Sequence, residues 1–171
     1  MATKCIRQIR IDGQVAYVPL TRGYEAVIDV DDVHLVDGRN WHSVVRGFTT
    51  YASCLGDLAG GRQARTYMHR LIIGFPSGFV VDHCDGDGLN NRRGNLRKAT
   101  TAQNQANCRM HITNTSGFKG VSFHLPTGRW QAQISYKSKN VWLGYFDTPE
   151  NAHAAYLAEA IRLRGEFVRA S

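Results

Sequence analysis

Residues 81–96 read V-D-H-C-D-G-D-G-L-N-N-R-R-G-N-L, and residues 99–104 read A-T-T-A-Q-N. A carboxylate, Asp82, stands next to an imidazole, His83, with carboxamides spaced behind them at Asn95 and Asn104. Asp82 is a hard oxygen ligand of the kind that suits Mg²⁺ or Mn²⁺, and such an ion assists phosphodiester hydrolysis by stabilising charge on the phosphate and the leaving oxygen. An imidazole suits the activation of water, because its ordinary pKa of about 6.5 leaves it largely neutral near pH 7. Neighbours on a strand point to opposite faces, so the pair converges only where a strand bends or ends. Asp85-Gly86-Asp87 looks like the start of a calcium loop, but EF-hand spacing requires a Glu where Leu96 stands, which excludes that reading.

These groups need elements to hold them. A short apolar strand over residues 79–81 runs into Asp82 and His83, and the Gly- and Asn-rich loop beyond it can take left-handed backbone angles. Residues 96–99 suit a return strand, and Thr100 or Thr101 can cap a helix carrying Gln103, Asn104, Asn107 and Cys108 towards His111. Asn90 and Asn91 read as loop formers, with DNA contact as the alternative. Upstream, residues 66–73 place Met68, Leu71 and Ile72 on one helical face, ended by Gly74 and Pro76.

The first segment reads as strands over residues 4–11, 15–20 and 26–30, with a short helix capped by Asp31. A hairpin follows over residues 41–48 and 50–55, turning at Gly47. After a small, polar linker at residues 113–117, strands are expected over residues 120–125, 129–136 and 140–146. Thr148-Pro149-Glu150 then opens a helix.

The 171 residues carry a net charge of +7, and residues 1–61 are slightly acidic, so the basic excess lies with the motif and beyond it. Clustered Lys and Arg attract a polyanion by releasing its condensed counterions. No apolar run approaches membrane-spanning length and no amphipathic basic helix is evident, so double-stranded DNA is the expected partner, with no membrane and no small-molecule cofactor. The N-terminal residues lack the apolar core of a signal peptide, and an intracellular location is expected. Cys5, Cys54, Cys84 and Cys108 form no C-x-x-C pair, which argues against a zinc ribbon and a disulfide framework. They read as reduced thiols in or near a core.

Residues 67–107 resemble the HNH endonucleases, particularly the homing-endonuclease-like branch of phages and mobile elements. The likeness runs from Met68-His69-Arg70-Leu71 through Asp82-His83, Asn90-Asn91, Asn95-Leu96 and Gln103-Asn104. It implies a ββα-metal site in which His83 is the general base and Asp82 a metal ligand. Asn104 would be the second protein ligand to one Mg²⁺ or Mn²⁺ ion, without zinc, in an H-N-N variant, and Asn95 would fix the loop and orient His83. It also implies a bacterial cytoplasm if the gene is a phage's. His69 is open to packing, a buried hydrogen bond or phosphate contact. Arg70, Arg92, Arg93, Arg97 and Lys98 are candidates for phosphate contact by their density beside the site.

Residues 116–167 are similar to the plant AP-two, or ethylene-response-factor, DNA-binding domain, through G-F-K-G-V, G-R-W-Q-A-Q-I and W-L-G-Y-F-D-T. That resemblance implies a three-stranded sheet lying in the major groove, a fit with what a strand ribbon and Arg can read there. Ser122, His124, Ser135 and Asn140 stand where the plant pattern has Arg, so the plant target sequence does not carry over. Candidate contacts are Lys119, Ser122, His124, Arg129, Gln133, Ser135 and Lys137. Trp130 and Trp142 are open to backbone contact or packing, and Tyr145 and Phe146 are assigned to packing.

The expected fold class is α+β: a β-rich segment (1–66), a ββα-metal core (67–112) and, after the linker, a three-stranded antiparallel sheet packed on one helix (113–171). The leading expectation is a metal-dependent DNA endonuclease, cutting one strand or both, with the oligomeric state open. The alternative from a different class is a DNA-binding regulator with a vestigial nuclease site. An RNA nuclease has no supporting motif.

Overall fold

The computed structural model describes residues 6–57, 63–107, 114–137 and 139–168. Contacts divide the chain into two compact units, Met1–Thr100 and Thr101–Ser171.

In the first unit β1 (Arg10–Asp12), β2 (Val15–Pro19) and β3 (Glu25–Asp29) form an antiparallel sheet in chain order. Alternation sets its faces: Ala16, Val18, Ala26 and Ile28 are buried, while their neighbours reach the surface. A 3-10 turn, Val30–Asp32, and the short helix α1 (Val33–Val36) follow. A second antiparallel sheet comprises β4 (His42–Arg46), β5 (Thr49–Asp57) and β6 (Gln63–Tyr67), and leads into α2 (Met68–Ile72). The hairpin β7 (Val80–His83) and β8 (Leu96–Ala99) completes the unit. One core joins all of these, with Ile28, Trp41, Ala52, Met68, Ile72, Val81 and Leu96 in a single cluster. The Trp41 indole is satisfied inside it by donating 2.8 Å to the Val36 carbonyl.

The helix expected over residues 66–73 is shorter. Thr66 and Tyr67 pair with Cys54 and Ser53 as the end of β6, and helix begins only at Met68. A β-branched and an aromatic residue suit the pleated surface, and β5 offers them a ladder. The strand expected over residues 4–11 is reduced to β1, with residues 1–5 outside the described range. Cys54 is buried as expected, whereas Cys84 is exposed because it sits in the turn that leaves β7. Cys5, Cys108 and His111 lie outside the described residues.

The second unit opens with α3 (Thr101–Asn107) and continues through β9 (Val121–His124), β10 (Arg129–Tyr136) and β11 (Lys139–Phe146) to α4 (Pro149–Arg164). The sheet is antiparallel with β10 in the centre. Its core is Val121, Ala132 and Ile134 against Ala152, Tyr156 and Ala160, which repeat every four residues along one stripe of α4. Thr148 caps that helix by accepting from the Asn151 N–H at 3.2 Å, with Pro149 in the first turn. The architecture is the α+β arrangement expected, including a C-terminal three-stranded sheet on a helix. Among the described residues no helix is long and apolar enough to cross a membrane.

Gly120 is the tightest point of this unit. Its φ is +74°, and a Cβ there would lie 2.1 Å from the buried Tyr156 ring and 2.8 Å from the Gln133 carbonyl. Left-handed backbone and a steric clash add, so Gly120→Ala is expected to destabilise the C-terminal unit by about 3 kcal/mol. Chemical denaturation followed by Trp fluorescence measures this, and a midpoint equal to that of the wild type would contradict it.

Candidate active site and nucleic-acid interface

The β7–β8 register sets Asp82 opposite Arg97 and His83 opposite Leu96. Arg97 Nε and a terminal guanidinium nitrogen both reach Asp82 Oδ2, at 2.9 and 2.8 Å, making a largely buried cross-strand ion pair. The strand ends at His83, and the chain reverses as the Gly86 N–H donates to the His83 carbonyl at 2.9 Å.

The loop from Cys84 to Asn95 is held by its own carboxylates and carboxamides. Asp85 accepts from the Asp87 N–H (2.8 Å), Asn90 Nδ2 (2.8 Å) and Asn95 Nδ2 (2.9 Å). Although partial burial pushes its pKa up, these bonds leave the Asp85 carboxyl below the ordinary value. Asn95 also donates to the Asn90 carbonyl at 2.8 Å and accepts from the Asp85 N–H at 3.1 Å, bridging the two ends of the loop. The outer edge of the loop pairs with β3: Val27 N–H donates to Leu89 and Asn91 N–H donates to Val27, at 2.8 and 2.7 Å. Asp29 then takes the Arg92 guanidinium and the Arg93 N–H at 2.8 Å each, while the buried Asp32 takes Arg93 at 2.6 Å. Burial opposes ionisation of Asp29, yet these partners keep its pKa low. Gly88 lies where a Cβ would come within 2.5 Å of the Thr50 carbonyl and 2.7 Å of the Tyr51 ring, so the loop presses directly on β5.

His83 is buried at the end of this scaffold. Its ring lies 5.1 Å from His69, edge to face, and 5.8 Å from Tyr51. His69 in turn stacks on Tyr67 at 5.5 Å. Burial lowers the His83 pKa, against the raising effects of the neighbouring Asn91 carboxamide and of Asp85, Asp82 and Asp87. For His69, burial followed by repulsion from His83 and Arg70 pushes the pKa down to about 3. Both imidazoles are therefore neutral at pH 7, the state a base requires. Chemically, the hairpin presents a neutral imidazole and a hard carboxylate on adjacent residues.

The sequence-selected residues separate on this scaffold. Asp82, His83 and Asn95 belong to one hairpin and its loop, while Asn104 lies on α3 in the second unit. Asn95 acts as the loop tie, and the completely buried Asn91 carboxamide, which donates to the Gly88 and Leu89 carbonyls at 3.5 and 2.9 Å, lies beside His83. Arg92, Arg93 and Arg97 are held by Asp29, Asp32 and Asp82. Arg70 donates to the Pro76 and Phe79 carbonyls at 3.4 Å, and Lys98 is exposed. Tyr51, Tyr67 and Asn91 were not singled out by sequence as neighbours of the base; the N-N run was the only local signal for Asn91, and the tyrosines had none.

In the second unit, alternation on β10 turns Ala132 and Ile134 to the helix, and therefore Arg129, Gln131, Gln133 and Ser135 to the opposite face. Register adds Ser122 and His124 from β9, and Asn140, Trp142 and Tyr145 from β11. Among the sequence candidates, Ser122, His124, Arg129, Gln133 and Ser135 thus share one face. Lys137 occupies the β10–β11 turn at φ +49°, and Lys119 precedes β9 with its carbonyl 3.3 Å from His153 Nδ1. Trp142 is 60% exposed. Tyr145, assigned to packing from sequence, lies on this helix-free face with ring contacts to Trp142 at 5.3 Å and His124 at 5.0 Å. A register shift at Ala132/Gln133 causes the difference: Gly144 opposes Ala132 and Trp142 opposes Gln133, so Leu143 is the extra residue and both aromatic rings point the same way.

A family model described as HNH endonuclease matches residues 67–106, and one described as AP2 domain matches residues 116–166. Protein 3.8 of Escherichia phage T7 is 36% identical over 64 residues, covering 37% of this chain and 53% of that protein. APETALA2-like protein 2 of Oryza sativa subsp. indica is 43% identical over 53 residues, 31% of this chain and 12% of the plant protein. The chain therefore spans about half the length of the phage relative and a small part of the plant one. An uncharacterized HNH endonuclease of Acanthamoeba polyphaga mimivirus is 31% identical over 166 residues, 92% of this chain and 81% of that protein. No solved structure matches the chain. Matched along most of both lengths by the mimivirus protein, and by the family model over the hairpin that carries Asp82 and His83, the chain belongs to the HNH endonuclease family and carries an AP2 domain behind its HNH segment.

Proposed function

We propose that this protein is a metal-dependent DNA endonuclease in which His83 is the general base and Asp82 and Asn104 hold one Mg²⁺ or Mn²⁺ ion. The observation that carries the reading is a buried, neutral His83 at a strand end beside Asp82, within the segment the HNH family model matches. A carboxylate and a carboxamide are hard oxygen donors, which fits an ion of that class. When bound, the ion supplies Lewis-acid stabilisation to the phosphate and the leaving oxygen. Arg97 fixes the plane of the Asp82 carboxylate by gripping Oδ2. His83 accepts a proton from the attacking water, and burial keeps its nitrogen unprotonated until that moment. The loop tied by Asn95 and the rings of His69 and Tyr51 hold the imidazole in place.

The helix-free face of the β9–β11 sheet is the proposed reader of double-stranded DNA in the major groove. It carries hydrogen-bonding side chains, Ser122, Gln131, Gln133, Ser135 and Asn140, around Trp142, Tyr145 and His124. Polar edges of this kind can address bases, and rings can lie against sugars or bases.

Plasmid or phage DNA incubated with the protein and Mg²⁺ or Mn²⁺ is expected to be nicked or cut, and EDTA to stop it. His83→Ala should abolish cutting and leave DNA binding intact; undiminished cutting by that variant removes His83 from the mechanism. Binding without product under any divalent ion would favour a DNA-binding regulator with a vestigial site, and preference for structured RNA over duplex DNA would overturn the substrate. The direction of the His83 shift sets the pH dependence. A lowered pKa keeps the base neutral below its ordinary 6.5, so the single-turnover rate should hold through that pH on acidification and decline only beneath it. A cation at Asp82 acts in the same direction. An acid limb centred above 6.5 would contradict a buried His83 as the base.

Trp142→Ala is expected to weaken binding to duplex DNA about tenfold, or roughly 1.4 kcal/mol, in fluorescence anisotropy. The fold of the sheet should survive, since the Trp142 ring is largely exposed. Unchanged affinity would take this face out of the interface.

A further inference from the structure

We propose that His69 is a positioning residue for the base, acting through the shape of its ring and not through its nitrogens; this rests on the endonuclease reading above. His69 is the first-turn residue of α2 that follows β6 directly, so its backbone is fixed by sheet and helix together. Its ring sits at the centre of an aromatic cluster: stacked on Tyr67 at 5.5 Å and 19°, edge-on to Tyr51 at 5.6 Å and edge-on to His83 at 5.1 Å and 86°. Tyr51 touches both Tyr67 and His83, so the four rings form one closed set, with the base as a member. Tyr51 and Tyr67 come from adjacent strands of the β4–β6 sheet, which makes the cluster a rigid wall.

The nitrogens contribute little to this arrangement. His69 Nδ1 is buried and has no hydrogen-bond partner among the described residues, and burial holds the ring neutral. A neutral imidazole offers no charge to a phosphate. Three ring contacts remain, and these are what a planar side chain of similar size would preserve. His83 is thus confined on one side by the His69 and Tyr51 rings. Rotation of the imidazole about its side-chain torsions would require the wall to move.

The test compares His69→Phe, which keeps a ring, with His69→Ala, which removes it. In single-turnover cleavage at saturating protein, His69→Ala is expected to lose about tenfold or more in rate, the scale of a small misplacement of a reacting group. Its Kd for uncut DNA should not change. His69→Phe should cut within about threefold of the wild type, as a shape-conserving substitution in a packed site. If His69→Ala does not fold by circular dichroism, His69→Leu, which fills space without a ring plane, replaces it with the same expectation. A readout independent of cutting is the long-range ¹H–¹⁵N spectrum of the imidazoles in DNA-free protein. His83 should show one neutral tautomer in the wild type and in His69→Phe, and mixed tautomers or averaged signals in His69→Ala. Equal loss of cutting in the Phe and Ala variants would overturn the proposal and assign the role to the imidazole nitrogens. An unchanged rate and an unchanged His83 spectrum in His69→Ala would overturn it as well. If the wild-type protein cuts nothing, the endonuclease reading fails, while the spectra still decide whether His69 holds His83.

Discussion

Two backbone hydrogen bonds at Val27, one donated to Leu89 and one received from Asn91, set the geometry on which the candidate site depends. The loop between β7 and β8 contains three glycines and two adjacent asparagines, a composition with much conformational freedom to lose. Ordering such a segment costs on the order of 1–2 kcal/mol per residue. Pairing with β3 offsets part of that cost with ladder bonds, and Asp29 and Asp32 extend the seam by taking Arg92 and Arg93. Asn91 carries the seam towards the chemistry, since its N–H belongs to the β3 ladder while its carboxamide, beside His83, donates to the Gly88 and Leu89 carbonyls of the loop. The N-terminal sheet is therefore part of the site's support, and the shared core of Ile28, Trp41, Met68, Val81 and Leu96 is the packing expression of the same fact.

Acidic groups in this unit do two different things. Asp85 is spent on the loop itself, where it accepts three bonds, and Asp29 and Asp32 are spent on arginines. Asp82 is also paired, with Arg97, but across a hairpin whose register places it one residue from the base. A buried carboxylate without a cation would be costly, and a guanidinium gripping one oxygen answers that cost. The same pairing explains why the basic residues near the motif count for less than their number suggests. Three of the arginines already face carboxylates, so the field they project towards a polyanion is reduced.

Much of this was legible in the sequence where the signals were local. Turn signals and runs of β-branched and aromatic residues located β2, β10 and β11, Thr148-Pro149 marked the start of α4, and Asp82-His83 at the end of an apolar run marked the hairpin. What was not legible is non-local. Arg92 and Arg93 read as phosphate ligands by density, while their partners lie 61 to 64 residues away in the chain. Thr66 and Tyr67 fit a helical face as well as a strand, and only the neighbouring β5 decides between them. Tyr145 reads as a packing residue, and nothing local announces the inserted residue, Leu143, that brings its ring to the face of Trp142. The ring cluster around His83 draws on β5, β6, α2 and β7, and no spacing rule connects those positions.

The two units also differ in the kind of contact they can offer a polyanion. On the helix-free face of the β9–β11 sheet, Arg129 is paired with Asp147 at 2.8 Å, and the rest of the surface is amide, hydroxyl, imidazole and aromatic. Such a face gains less from counterion release than a lysine-rich one, because that gain scales with the number of cations set against phosphates. It gains correspondingly more from hydrogen-bond geometry and from rings laid against the ligand, which are short-range and demanding of shape. The bulge that brings Trp142 and Tyr145 to one side is thus the feature of the C-terminal sheet on which its recognition chemistry turns, as the Val27 seam is for the hairpin that carries His83.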